Sequence, residues 1–245
     1  MENAQLINLS RQISLQRQIE VTANNIANMN TTGFKAQSIL FQEYLAPVAR
    51  DRDFAFPDQQ LSFVQDWGTV GDFSGGDLAD TGNPLDVALV GEGFLAVQTP
   101  AGERWSRGGS LAIDRAGMLV DLSGNPVLSD GGPISFDSSE TDIKIAPDGT
   151  ISSSAGNKGR LRLVEFDNLQ DLTREGGSLF AGGTPVAAVE TSVVQGSVEK
   201  SNVSGVAEMS EMIRVQRAYE SLASLAQRQD DIRRDAIKRL GSLNA

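Results

Sequence analysis

Neither cysteine nor histidine occurs anywhere in the 245 residues. The first absence removes disulfides, thiolate nucleophiles and cysteine-ligated zinc. The second removes the commonest general base and the commonest transition-metal ligand. Aromatic residues make up only 6% of the chain against 40% hydrophobic residues in all, so a real core is possible but few rings build it. No apolar run approaches the roughly 18–20 residues that cross a bilayer, which predicts a soluble chain with no membrane-spanning helix. The opening MENAQLINLSRQISLQRQ lacks the continuous apolar stretch of a cleavable signal peptide.

Signatures of chemistry are missing too. Gly91-Glu92-Gly93 lacks the third glycine, the lysine and the following helix of a phosphate loop, and reads as a hairpin turn. Asp114, Asp121, Asp142 and Asp148 do not have the spacing of a calcium loop and read as surface turn residues. No G-x-S-x-G nucleophile motif occurs. These absences predict a protein that is not an enzyme and that needs no cofactor or metal. A carboxylate-based hydrolase would need two acids converging in a pocket.

What is present is glycine, 25 residues of it, with eight prolines, as expected of many turns between short strands. The net charge of −11 is unevenly placed. Residues 36–200 hold 11 basic against 24 acidic groups, a net of −13, while 1–35 and 201–245 each carry +1. An acidic middle argues against a nucleic-acid partner, whereas near-neutral ends can approach copies of themselves without large repulsion. An ordinary solvated acidic surface accounts for the same charge.

The periodicities divide the chain in four. Residues 3–29 read as a helix, with Leu6, Leu9 and Ile13 in one 3–4 spacing and Leu15, Ile19, Thr22, Ile26 and Met29 in another of different phase. Asn30, Thr31 and Thr32 disfavour continuation, and Gly33 ends the helix at positive φ. Residues 36–80 form an extended connector with room for a short helix around Ala36–Leu45. From about 81 to 200, alternating strands separated by turn residues predict an all-β domain, a meander or barrel, with hairpin turns at 91–93, 115–117 and 147–149. Residues 201–245 return to helix, where Met212, Val215, Tyr219, Leu222 and Ala226 repeat at 3, 4, 3 and 4 as in a coiled coil. Trp67 and Trp105 read as core or interface anchors. The predicted fold class is mixed and mainly β, a central β domain between N- and C-terminal helices that pair in a coiled-coil manner. The boundaries are 1–35, 36–80, 81–200 and 201–245.

Asparagine competes with the backbone inside a helix, yet four asparagines fall within seven residues of Asn24-Asn25-Ile26-Ala27-Asn28-Met29-Asn30. Asn24 and Asn28, one turn apart, can hydrogen-bond across a helix–helix contact, while Asn25 projects elsewhere. A frayed, asparagine-rich helix end accounts for the same residues.

The stretch ANNIANMNTTGFK, residues 23–35, resembles the N-terminal signature of the flagellar rod and hook axial proteins. Two further segments resemble the same family in the same order. Thr81-Gly82-Asn83-Pro84-Leu85-Asp86-Val87-Ala88-Leu89, then Gly91-Glu92-Gly93-Phe94, is similar to its entry into the β domain. Gly196-Ser197-Val198-Glu199-Lys200-Ser201-Asn202-Val203, with Glu208-Met209 and Gln216-Arg217-Ala218-Tyr219-Glu220, is similar to its C-terminal signature. Length and the single modest β domain are nearest the proximal-rod type, with the distal-rod type as the rival; hook proteins are longer.

The resemblance implies paired terminal helices forming an inner tube, an outward β domain and helical polymerisation with copies of itself and other rod proteins. It also implies export through the flagellar type III apparatus and a place in the rod that crosses the periplasm. Assembly contacts are expected at Leu6, Leu9, Ile13, Ile19, Asn24, Asn25, Ile26, Asn28, Met212, Val215, Tyr219, Leu222 and Ala226, and structural turns at Gly33, Asn83, Pro84, Gly91 and Gly93. A secreted binding module such as an adhesin is the alternative; it predicts that 83–198 binds a ligand alone.

Overall fold

A computed structural model describes residues 2–45 and 62–242. Residues 46–61 of the expected connector 36–80 therefore lie outside the described residues. The fold is mixed and mainly β, with strands between two terminal helices, α1 (Glu2–Ala27) and α2 (Gly205–Ser242). The chain forms two compact units.

The helical unit holds α1 as far as Ile26, residues 37–70, and α2. Its two helices pack against each other. The face that α1 buries is small and polar, with Ser14, Val21, Thr22 and Asn25 all at or below 9% exposure, and α2 buries Val215. Gln18 donates from Nε2 to Glu211 Oε1 at 2.7 Å, a polar tie between the two helices.

Residues 37–45 are not the short helix that the sequence suggested. Strand β1 (Gln37–Leu45) pairs instead with β2 (Ser62–Gly71) as a two-stranded sheet. A nine-residue helix is below the length that sustains itself. Ile39, Phe41 and Tyr44 prefer the pleated surface, and β2 supplies Phe63, Val64, Trp67 and Thr69 of the same kind.

The sheet unit comprises Ala27–Ala36 and Gly71–Ser204. Its main sheet is antiparallel and runs in the order Leu172–Arg174, Leu179–Gly182, Gly102–Ser106, Phe94–Thr99, Leu163–Glu165, Val186–Ala187. Phe94-Leu95-Ala96-Val97 is a continuous apolar run, each residue at most 1% exposed, as a strand covered on both faces requires. Alternation then sends its side chains to two cores. Leu95 and Val97 join Leu111, Leu119, Val127, Ile151, Leu161, Leu163 and Val193 on one side. Phe94 and Ala96 join Trp105, Val164, Phe166 and Phe180 on the other. There, Phe94 meets both Phe166 and Phe180 edge-on at 5.6 Å, each pair adding about 0.5–1.5 kcal/mol beyond its buried area. Trp105 is one of the expected core anchors, its indole N–H donating to the Gly182 carbonyl at 3.0 Å. Trp67 stands 71% exposed.

Two expected hairpins are present, Leu111–Ile113 with Leu119–Asp121 and Lys144–Ile145 with Thr150–Ser153. The one expected at Gly91–Gly93 is not. Val87–Val90 pairs with Ser192–Gln195, whereas Phe94–Thr99 pairs with Gly102–Ser106 and Leu163–Glu165, so residues 91–93 form a corner between sheets. The physical reason is Arg107. Its guanidinium takes the carbonyls of Leu89 at 3.2 Å, Gly91 at 2.6 Å and Gly93, acceptors that a hairpin would have used internally.

Candidate assembly surfaces

In the helical unit, Leu6, Leu9 and Ile13 follow one another at the 3–4 spacing of a single helix face, and they are 53%, 51% and 59% exposed. The row read from the sequence is thus left largely open among the described residues. Ile19, Ile26 and Asn28 are half-buried, and Asn24 is exposed. Asn25 is 1% exposed, and its amide is committed to β1, donating to the Gln37 carbonyl at 2.8 Å and accepting from the Gln37 N–H at 3.0 Å.

On α2 the expected stripe faces inward. Val215 is buried, and Met212, Tyr219, Leu222 and Ala226 are half-buried. Leu222 and Ala218 line a groove of about 310 Å³ with Arg11, Leu15, Gln18 and Phe41. Outside that stripe, Val206, Met209 and Ile213 form a second apolar row, exposed by 80%, 57% and 49%. Sequence reasoning passed over this row, although its 3–4 spacing was legible, because the longer 212–226 series dominated. Farther along, Ile232 and Ile237 are each 69% exposed.

In the sheet unit the signature residues serve structure. Asn83 starts a turn in which its carbonyl accepts the Asp86 N–H at 3.0 Å and its side chain accepts the Leu85 N–H at 3.2 Å, with Pro84 between. Gly33 has φ +66°, and a Cβ there would lie 2.3 Å from the Arg107 carbonyl, so the TTGFK backbone presses directly on residue 107. Gly93 is close to Thr191 in the same sense, and Gly91 has φ +115°.

Beside Gly33 lies a group that the sequence reading did not single out. Lys35 Nζ sits 2.6 Å from Glu199 Oε1, and Arg107 Nε sits 2.6 Å from Glu199 Oε2, all three side chains at most 4% exposed. Burial pulls the Lys35 ammonium below its ordinary pKa, against the opposing hydrogen bond and charge of Glu199. Burial alone would raise Glu199, but the Arg107 charge and the Lys35 hydrogen bond outweigh it and hold the carboxyl below its usual range. Nearby, the Arg174 guanidinium lies 4.0 Å from the Phe34 ring centre and 5.0 Å from that of Phe180; burial lowers its pKa to about 10. Lys35 and Glu199 come from the first and third signature segments.

Among the described residues there is no group of three or more acids able to hold a metal ion, and no helix long and apolar enough to cross a membrane. What the surface offers is two helices with uncovered apolar rows. Three family models match the chain: "Flagella basal body rod protein" over residues 6–35, "Flagellar hook protein FlgE/F/G D1 domain" over 88–153, and "Flagellar basal body rod FlgEFG protein C-terminal" over 194–239. The flagellar basal-body rod protein FlgF of Caulobacter vibrioides is 38% identical over 100% of both chains. That of Mesorhizobium japonicum is 34% identical over 99% of both. The rod protein FlgG of Bacillus subtilis is 28% identical over 91% of this chain and 94% of its own. With three models matched in chain order and FlgF-type relatives aligned from end to end, the chain belongs to the flagellar basal-body rod protein family.

Proposed function

We propose that the protein is a structural subunit of the proximal rod of the flagellar basal body, of FlgF type, and that its work is mechanical and not catalytic. Copies stack helically on one another and on other rod proteins, and the resulting rod carries torque across the periplasm. The observation that carries this reading is the pair of uncovered rows, Leu6–Leu9–Ile13 on α1 and Val206–Met209–Ile213 on α2. Apolar residues aligned along a helix and left in water mark a surface that another chain covers. An interface between copies that does not close on itself extends into a helical array.

Relatives named FlgF align over 98–100% of this chain in three organisms and over 86% in Escherichia coli, and those named FlgG over 84–91%; the 38% and 34% identities of the first two FlgF relatives support the proximal type. Export in unfolded form through the flagellar type III apparatus belongs to the same reading. The test is Ile213→Asp. The purified variant keeps its melting temperature, because the side chain it replaces is already half in water, while basal bodies isolated from the variant strain lack rods. Normal rods containing the variant overturn the reading.

A further inference from the structure

The backbone passes between the helical and the sheet unit four times, at Ile26–Ala27, Ala36–Gln37, Val70–Gly71 and Ser204–Gly205. Within the sheet unit all the segments that lead to these passages run into one network. The Gly33 N–H donates to the Glu199 carbonyl at 2.8 Å, and the Ala36 N–H donates to Asn202 Oδ1 at 2.7 Å. The Asp72 N–H donates to the Ala36 carbonyl at 2.8 Å, and Asn202 Nδ2 donates to the Asp72 carbonyl at 2.8 Å. Lys35 Nζ donates to the Ser74 carbonyl at 2.7 Å, and the Gly76 N–H donates to Glu199 Oε1 at 2.8 Å. Glu199 and Asn202 thus each hold both incoming segments, 33–36 and 72–76, and both lie on the outgoing one.

We infer that this network, centred on Glu199 and Asn202, is a mechanical clasp that ties together the segments leading to these passages and shares a pull on one among all. The inference rests on the rod reading, in which load reaches the sheet unit along these passages. The backbone pairing at the root is slight. Leu78–Asp80 and Ser197–Glu199 pair over three residues only, and a short ladder pulled at its end yields one bond at a time. The side chains change that. Charge-assisted hydrogen bonds are about twice as strong as neutral ones, and Glu199 makes them to Lys35 and Arg107 at once. Arg107 passes the attachment inward to the carbonyls of Leu89, Gly91 and Gly93, which lead into Phe94–Thr99 at the centre of the main sheet. The root is thereby fastened to the core and not to an edge.

A clasp opens as one body. Hydrogen exchange on the full chain tests this through the network amides of Gly33, Ala36, Asp72 and Gly76 and the adjoining Lys200 N–H, which donates to the Asp77 carbonyl at 2.8 Å, with Ala96 and Leu119 as core references. In the native protein the five are expected to exchange through a common opening. Glu199→Gln, and more mildly Asn202→Ala, are expected to speed all five at least tenfold while Ala96 and Leu119 change less than threefold. Unrelated responses among the five, or equal acceleration of Ala96 and Leu119, overturn the clasp. In cells the Asn202→Ala strain is expected to assemble rods yet to lose swimming speed more steeply than wild type as viscosity rises. Wild-type viscosity dependence overturns the mechanical role. If a strain lacking the whole chain retains rods, the rod reading fails while the exchange experiment still judges the clasp.

Discussion

Asn25 and Gln37 exchange a reciprocal pair of hydrogen bonds, the Asn25 side chain donating to the Gln37 carbonyl at 2.8 Å and accepting from its N–H at 3.0 Å. A buried asparagine (1% exposed) thus acts as a one-residue strand partner and starts β1. Asn25→Ala leaves both backbone groups of Gln37 without that partner and is expected to cost about 1–3 kcal/mol in thermal or urea unfolding. Asn25→Asp places a carboxylate against the Gln37 carbonyl. Its cost is expected to shrink on acidification, because a protonated carboxyl can donate where the amide did.

Two glycines of almost equal φ are expected to behave differently. Gly33 (φ +66°) and Gly82 (φ +68°) both sit in the left-handed region. A Cβ at Gly82 meets nothing within 4 Å, so Gly82→Ala is expected to cost only the conformational penalty of about 1–2 kcal/mol. At Gly33 the new Cβ would lie 2.3 Å from the Arg107 backbone, and the segment must move away. Gly33→Ala is expected to cost clearly more than Gly82→Ala in paired denaturation curves and to loosen the Lys35–Glu199 pair.

Acid is expected to release the loop that holds Glu140. Hydrogen bonds from Lys158, Ser153 and the Asp137 N–H lower its pKa from 4.5 to about 2. A depressed carboxylate stabilises the fold fully above its unfolded value, and that contribution is lost as pH falls towards the folded one. Wild type is therefore expected to exceed Glu140→Gln in stability above about pH 5, with the difference fading between pH 4.5 and 2. A pH-independent difference in melting temperature refutes this.

Val215→Asp is the counterpart of the surface test. Val215 is 1% exposed in the helical unit, and an unpaired carboxylate there is expected to cost about 2 kcal/mol or more. Far-UV circular dichroism is expected to report lost helix, while the near-UV signal of Trp105, in the sheet unit's aromatic core, persists.

The fold class was legible because its signals are local. The 3–4 rows gave both helices to within a few residues, and the hairpins at 115–117 and 147–149 carried their own turn residues. Strand β1 was not legible. Its adjacent Leu40 and Phe41 are both exposed, so apolar and polar residues do not alternate cleanly there, and its partner begins only at Ser62. The corner at Gly91–Gly93 was misread because the group that shapes it, Arg107, lies 14 positions beyond Gly93. Lys35 and Glu199 stood inside recognisable motifs, but they are 164 positions apart, and no spacing rule says that two charges will be buried together. The Leu6–Leu9–Ile13 row was visible as a stripe; that it stays uncovered depends on which face of α1 meets the rest of the unit, a matter of tertiary packing.

Helix α2 runs for 38 residues, about 57 Å at 1.5 Å per residue, yet among its described side chains only Val215 is fully buried. From Gln227 to Arg239 every described side chain is exposed or half-exposed. Thirteen residues with so little cover are close to the length at which a lone helix is marginal in water. Amide protection along this stretch is thus a gauge of occupancy: low while a subunit is alone, high once neighbours flank it. The same thirteen residues can report, position by position, how much of the assembly has formed around any one copy.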